Sequence, residues 1–245
     1  MPYYLAPNSD VTRLAFMNKA VKTAVSTQNA GQAPRLSAPL IADLTTHHAA
    51  YKAAYDNAEA ALSQRKIETA ESAAAMDRLE MFIRHIWTAV YNRAQRDGLS
   101  VGVLGYYKMD NDGGRPKPSS REEWLGLGSS IIEGDAKAFA NGFPLAVNPS
   151  AIELQAALDA AIVESNDVPI ADGVYDEAQT AVSTFRPAAD ALIKRARAEL
   201  AFSTYEMDAP SQRRVMRNHG ATYRYLVGEK VDDGDKTAVV DEGVA

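Results

Sequence analysis

The stretch IADLTTHHAAYKAAYDNAEAAL, residues 41–62, decides the fold, because Ile41, Leu44, His48, Tyr51, Tyr55, Ala58 and Leu62 recur at alternating three- and four-residue steps. The same phase resumes with Met76, Leu79, Ile83, Ile86 and Val90, and Ile41 and Met76 stand 35 residues apart, five whole heptads. Such spacing lays one apolar stripe along one side of an α-helix, and stripes of this kind pack against partner helices at a shallow angle. No Gly or Pro interrupts Leu40 to Asp97. One helix is therefore expected across the span, ending at Gly98 behind Arg93 and Arg96. Unbroken, it measures roughly 85 Å at 1.5 Å per residue, a length that suits a rod or an assembly surface. Between Leu62 and Met76 the seam positions become Arg65, Thr69 and Ser72. There the helix either leaves the core or divides in two, and the lack of a breaker favours continuity.

Outward from that stretch the chain reads as further helices. Asn8, Ser9 and Asp10 offer N-caps for a helix to about Gln28, with Val11, Leu14, Met17, Val21 and Val25 as its buried stripe. Gly31, Pro34 and Pro39 form a linker, and Ser37 is a cap for the long helix. Residues 99–118 are the least helical: Val101, Val103, Leu104, Tyr106 and Tyr107 precede the turn Asp110-Asn111-Asp112-Gly113-Gly114, so a short hairpin or ordered loop is expected. Ser120 with Glu123 and Ser150 with Glu153 are capping-box patterns, opening helices to about Ala140 and about Asn166. The second of these has Leu154, Leu158, Ala161 and Ile162 as its stripe. Pro169 and Gly173 punctuate before a last long helix, about Val174 to Met207, striped by Ala178, Val182, Phe185, Ala189, Leu192, Ala196 and Leu200 and kinked at Pro187. A short helix from Pro210 to Asn218 ends at Gly220, and Tyr223, Tyr225 and Val227 alternate as a terminal strand. Helix, Pro-containing linker and long helix thus occur twice, over 8–97 and 148–207, and Ile41-Ala42-Asp43 recurs as Ile170-Ala171-Asp172, the pattern an internal duplication leaves.

The expected fold is all-α: an elongated antiparallel helical bundle with long heptad-patterned helices and a small irregular or β element around 99–118 and at the C-terminus. A single bundle domain spans 1–228, followed by an acidic tail over 229–245. In that tail Glu229, Asp232, Asp233, Asp235, Asp241 and Glu242 face only Lys230 and Lys236. Of the net charge of −6, the tail contributes −4 and the body only −2. Neither part is net basic as a nucleic-acid footprint is, so no nucleic-acid partner is expected. The 245 residues contain no cysteine, which removes disulfides, thiolate metal sites and cysteine nucleophiles together. Met1 to Pro7 has no basic region and no apolar core of signal-peptide length. No stretch approaches the 18 uninterrupted apolar residues of a membrane span. Cytoplasmic is the default compartment, and non-classical export is equally compatible with the composition.

No convergent reactive set emerges. His47-His48 is the first metal candidate, but bundle metal centres need Glu-x-x-His pairs, none of which occurs, and adjacent histidines project about 100° apart on a helix. Asp110 to Gly114 resembles part of a calcium loop, yet position one would be Lys108 and position twelve Ser119, both wrong for a hard cation. Asp232-Asp233-Gly234-Asp235 fails similarly. Gly126, Gly128 and Gly134 fit no phosphate-binding spacing and read as close-packing positions near Trp124. No Gly-x-Ser-x-Gly elbow is present, and Glu122-Glu123 or Glu68 with Glu71 are ordinary first-turn and surface charges. No catalytic residue, metal or cofactor is nominated.

The expected contacts are with other chains. Tyr3, Tyr4 and Leu5 before the first helix, and Tyr223, Tyr225 and Val227 after the last, are apolar segments at positions that are usually polar and frayed. They pair with each other, pack on 101–107, or reach a neighbouring subunit. Tyr51, Tyr55 and Trp87 line a groove for a partner peptide or helix. Lys194, Arg195, Arg197, Arg213, Arg214 and Arg217 form a basic patch, read as a solvated face or a dock for the acidic tail. The leading expectation is a non-enzymatic structural or scaffold protein, a homo-oligomer or filament subunit associating through helical faces and terminal segments. The alternatives are a helical adaptor for a partner peptide or helix, and a metal-dependent enzyme using His48, Glu80 or His85 within the bundle.

Overall fold

A computed structural model describes residues 2–225 of the chain. Among these the elements run β1 (Tyr3–Leu5), α1 (Asp10–Asn29), α2 (Ala38–Asp97), α3 (Gly102–Tyr106), α4 (Arg121–Ala140), α5 (Ala151–Ser203), α6 (Ala209–Asn218) and β2 (Thr222–Arg224). The fold is an all-α helical bundle with one small antiparallel sheet. Val227 and the acidic tail over 229–245 lie outside the described residues.

Helix α2 is one helix of 60 residues. Every seventh residue from Leu44 is a seam position: Leu44, Tyr51, Ala58, Ser72, Leu79 and Ile86 are buried, and Arg65 is half-buried. Its C-terminus has Gly98 at φ 63 and a hydrogen bond from the Leu99 amide back to the Ala94 carbonyl, closing the helix where the sequence puts its glycine. Helix α5 is also continuous, for 53 residues. The break expected at Pro169 and Gly173 does not form. Pro169, Ile170 and Gly173 lie on the exposed side, while Leu154, Leu158, Ala161, Ala171, Ala178 and Val182 continue the buried side across them. A proline removes one backbone donor, and packing along the opposite side offsets that loss. The second helix–linker–helix pattern, on which the duplication over 148–207 relies, is therefore missing. Ile162, expected in the stripe, is 41% exposed.

The chain divides into two compact units within the 1–228 taken as one domain. Unit 1 comprises Met1–Ala60 with Asp176–Ala245, and unit 2 comprises Ala61–Tyr175.

In unit 1, Ser9 caps α1 in a complete capping box with Thr12. The buried side of α1 is Leu14, Phe16, Met17, Ala20 and Ala24, whereas Val11 and Val25 are exposed, so the expected stripe is rotated toward the small residues that let α1 approach its neighbours. Asp10, in the first turn, accepts both Arg186 guanidinium bonds, Nε at 2.8 Å and Nη2 at 2.9 Å, and the Tyr51 hydroxyl at 2.5 Å. One carboxylate thus ties α1 to α5 and α2. Arg186 first, and Tyr51 after it, hold the Asp10 carboxyl below its ordinary range against the effect of burial. Burial, then the bond to Asp10, pushes the Tyr51 hydroxyl up to about 12. Phe185 stacks on Tyr51 at 5.6 Å, and His47 packs against both rings while its Nε2 lies 3.1 Å from the Phe185 carbonyl. Ser37 precedes α2 but spends its side chain on Glu199 of α5, which also accepts the Ser37 amide.

The chain ends pair with each other. β1 and β2 run antiparallel with Tyr3, Tyr4 and Leu5 opposite Arg224, Tyr223 and Thr222. Gly220, at φ 100, makes the turn from α6 so close to α1 that a Cβ there would stand 2.9 Å from the Phe16 Cα.

Unit 2 is built on a core drawn from α2, α3, α4 and α5, including Leu79, Ile83, Ile86, Trp87, Leu104, Ile131, Leu154 and Leu158. Of the hairpin or ordered loop expected over 99–118, the hairpin does not form: a helical turn, α3, leads into an irregular segment with a tight turn in which the Asp110 amide donates to the Gly114 carbonyl at 2.8 Å. Val103, Leu104 and Tyr107 are buried at helical spacing, which is why no strand alternation develops. The Trp87 indole donates to the Tyr107 carbonyl at 2.8 Å, and Asp135 accepts the Tyr107 hydroxyl at 2.5 Å and the Ala146 amide at 2.7 Å. Helix α4 can sit against α3 because of Gly134: a Cβ there would lie 1.7 Å from the Tyr106 carbonyl oxygen. Gly126, by contrast, has open space. Gly134→Ala is therefore expected to destabilise the protein by about 3 kcal/mol, the upper end for an overpacked core. Gly126→Ala should be neutral or stabilising by up to about 1 kcal/mol. Urea unfolding of both variants checks the contrast.

Candidate functional site

The region of unit 2 between its core and Tyr175 holds the least core-like seam of the long helices. Arg65 pairs with Asp172 and lies 5.4 Å from the centre of the Tyr175 ring. One turn along, a carboxylate oxygen from each of Glu68, Glu164 and Asp167 falls within 4.8 Å of the others. Partner numbers rise on α2 as they fall on α5, so the two helices run antiparallel here. Ser72 completes the polar layer, fully buried at 0% exposure, and its hydroxyl has no hydrogen-bond partner among the described residues. Desolvation first, then the charges of Glu71, Asp167 and Glu68, raises the Glu164 carboxyl above its ordinary range. Three carboxylate oxygens could contribute to holding a hard divalent cation, which takes six or more oxygens in all. This is the one such group of three among the described residues.

The residues singled out in the sequence do not meet in one place. Tyr51 is buried in unit 1 and Trp87 in the core of unit 2, so the groove expected from Tyr51, Tyr55 and Trp87 is not formed by those three. Tyr55 instead joins Val11, Leu14, Ala15, Asn18, His48, Lys52 and Asp56 around a hollow of about 200 Å³ in unit 1, smaller than the ~300 Å³ lower bound usual for small-molecule sites. A second hollow of about 460 Å³, also open, lies between Pro34–Ser37 and the α5 residues Ala198, Glu199 and Phe202. His48 lies in unit 1, its imidazole held below the ordinary range by burial and by Lys52 and Lys22, whereas Glu80 and His85 lie in unit 2. Asp135 is only 2% exposed and is bonded from within by the Tyr107 hydroxyl and the Ala146 amide.

The basic patch divides. Lys194 and Arg214 are exposed, and Arg195 pairs with Asp43 at 3.2 Å. Arg197 lies 3.4 Å from the Tyr4 ring centre, and Arg217 stands over the rings of Tyr223 and Tyr225 and donates to the Tyr225 hydroxyl at 3.1 Å. Arg213 is half-buried beside them and acts on Tyr223 electrostatically. Arg197 and Arg217 thus floor the terminal sheet, a cation–π role beyond the expected solvated face, while the acidic tail of the dock reading lies outside the described residues. The signal is in the composition: three arginines and three tyrosines in segments that end up adjacent.

What reading by seam also misses is the outward side of the long helices. On α5, Ile152, Val163, Ile170 and Val174 are 83%, 56%, 65% and 53% exposed. At roughly 100° per residue they fall within an arc of about 40°. On α2, Ile67 and Met81 are 48% and 43% exposed, with Ala74 exposed between them on the same side. Single exposed apolar residues are ordinary, but rows of them mark contact surfaces. No helix among the described residues is long and apolar enough to cross a membrane. No protein-family model, curated protein or solved structure matches the chain.

Two stability measurements probe the polar layer. Ser72→Ala removes an unsatisfied buried hydroxyl and is expected to stabilise the protein by about 1 kcal/mol, read as a rise in Tm. Glu164→Gln should raise Tm at pH 7, because a carboxyl whose pKa is raised on folding destabilises the native state when ionised. The gain should shrink as pH falls through the raised pKa toward the unfolded value of 4.5, where the native glutamic acid is itself protonated. A gain that persists unchanged to pH 4 would contradict this origin.

Proposed function

We propose that this chain is a non-enzymatic structural protein that self-associates through the outward faces of its long helices, pairing them with neighbours in the manner of a coiled coil. The observation that carries this reading is the row Ile152, Val163, Ile170 and Val174, four large apolar side chains each more than half exposed on one side of α5. Leaving such a row in water forgoes about 25 cal/mol for each Å² of apolar surface that a partner would cover. The terminal segments take a smaller part in this reading than the sequence alone assigns them, since β1 and β2 already pair with each other. The helical faces remain as the associating surfaces.

Light scattering on a sizing column across a concentration series tests the reading. The expected result is an average mass that climbs above the 26.5 kDa of one chain as concentration rises. A mass fixed at that of one chain up to high concentration would sink it.

A further inference from the structure

We infer that Glu68, Glu164 and Asp167, together with the buried Ser72 hydroxyl, form a site for one hard divalent cation clamped between α2 and α5 of unit 2. The inference stands apart from the self-association proposed above and holds for a single copy of the chain.

Geometry brings a further oxygen to the carboxylates. Arg65 bonds Asp172, and the Leu79 and Leu158 side chains meet at Gly128, which fixes the register of the two helices at two levels. Ser72 lies seven residues from both Arg65 and Leu79, and Ser165 lies seven from both Asp172 and Leu158, so these two serines share a level. Glu164 and Asp167 bracket that level on α5. Glu68 stands one turn before Ser72 on the same side of α2, and a helical side chain leans toward the N-terminus of its own helix. The Ser72 hydroxyl is therefore aimed toward Glu68, into the space the three carboxylates surround. Thr69 and Ser165 spend their hydroxyls on the carbonyl four residues earlier. Ser72, with 0% exposure, has no partner at all among the described residues. A buried hydroxyl that forgoes that usual bond is an oxygen kept free for a ligand.

Charge and donor type define that ligand. Every charge acting on Glu164 is another carboxylate, from Glu71, Asp167 and Glu68. Asp172, one turn along, has Arg65, but no base forms an ion pair with Glu68, Glu164 or Asp167 among the described residues. The donors are all oxygens, the set that suits Ca2+, Mg2+ or Mn2+ rather than zinc or copper. Two oxygens on opposite sides of a calcium ion stand about 4.8 Å apart, twice a bond of roughly 2.4 Å. Carboxylate oxygens within 4.8 Å of one another therefore fit inside one such shell. All three carboxylates are half-buried, so water can reach the ion and complete its roughly six to eight positions. A cation there turns mutual repulsion into attraction and ties the two long helices together where their seam is least core-like.

Thermal unfolding of the chelator-treated full chain tests the site, with CaCl2, MgCl2 or MnCl2 set against NaCl of equal ionic strength. At least one of the three cations is expected to raise Tm, by an amount that grows with the logarithm of its concentration above the dissociation constant. Calorimetric titration should count one ion per chain. Glu164→Gln should raise Tm without cation, which shows that it folds, and should lose the cation-dependent rise. Ser72→Ala should weaken binding about 10-fold. Asp77→Asn, which alters an exposed acid outside the cluster, should bind like the parent. If none of the cations raises Tm beyond NaCl, the inference falls. It falls equally if Glu164→Gln keeps the parent's rise, since the ion then sits elsewhere. It falls too if Ser72→Ala binds as tightly as the parent, since the carboxylates then attract cations only as any acidic surface does.

Discussion

The seven-residue recurrence on α2, Leu44, Tyr51, Ala58, Arg65, Ser72, Leu79 and Ile86, is the constraint to which the other elements answer. It fixes one side of a 60-residue helix as the side that must be covered. Helix α5 supplies the cover with its own recurrence through Leu154, Ala161, Val182, Ala189 and Ala196. What the pair leaves open is closed locally, by α1 and the terminal sheet in unit 1 and by α3 and α4 in unit 2. The large side chain in the repeat, Tyr51, brings a hydroxyl into a buried position, and Asp10 with Arg186 answers that polarity. Ser72 brings another hydroxyl and receives no such answer.

Legibility in the sequence followed the strength of the periodic signal. The long helix α2 was readable because no Gly or Pro competes with its stripe, and the helices opened by Ser9, Ser120 and Ser150 were readable because a side-chain oxygen three residues before a backbone donor has one good use. Pro169 misled for the opposite reason. A local breaker counts for less than a buried side that continues past it, so packing prevails over propensity. In segment 99–118 the hairpin alternative fails, because Val103, Leu104 and Tyr107 obey a helical step, while the irregular stretch that follows was legible in its Gly, Asp and Pro content. In α1 the valines carry the stronger hydrophobic signal, but Ala20 and Ala24 are the buried residues that let the backbone come close.

The candidate surfaces were less legible, and for a physical reason. A core stripe announces itself by contrast with a polar background, whereas α5 is apolar on its outward side too, so the outer row of Ile152, Val163, Ile170 and Val174 merges with the inner one in any list of hydrophobic positions. Separating them requires knowing which side α2 occupies. The arginines under the terminal sheet pose the same difficulty in reverse. Arg197 and Arg217 look like solvent residues until Tyr4 and Tyr223 arrive from opposite ends of the sequence to lie on them.

The two units are also unequal as stretches of polymer. Unit 2 is one uninterrupted run, Ala61–Tyr175, while unit 1 is made of the segments on either side of it. A ribosome delivering the chain from its N-terminus completes the contiguous run first, and domains fold as units in the order they emerge. The first 60 residues, with α1 and the start of α2, must wait for the second half of α5, and β1 must wait longest of all, until Thr222–Arg224 has been added. Closing that contact spans nearly the whole described chain, the most non-local pairing among the described residues and the kind that forms slowly. Translation therefore imposes a sequence of assembly on this protein: the inserted half matures early, and the flanking half is sealed only when β2 has been made.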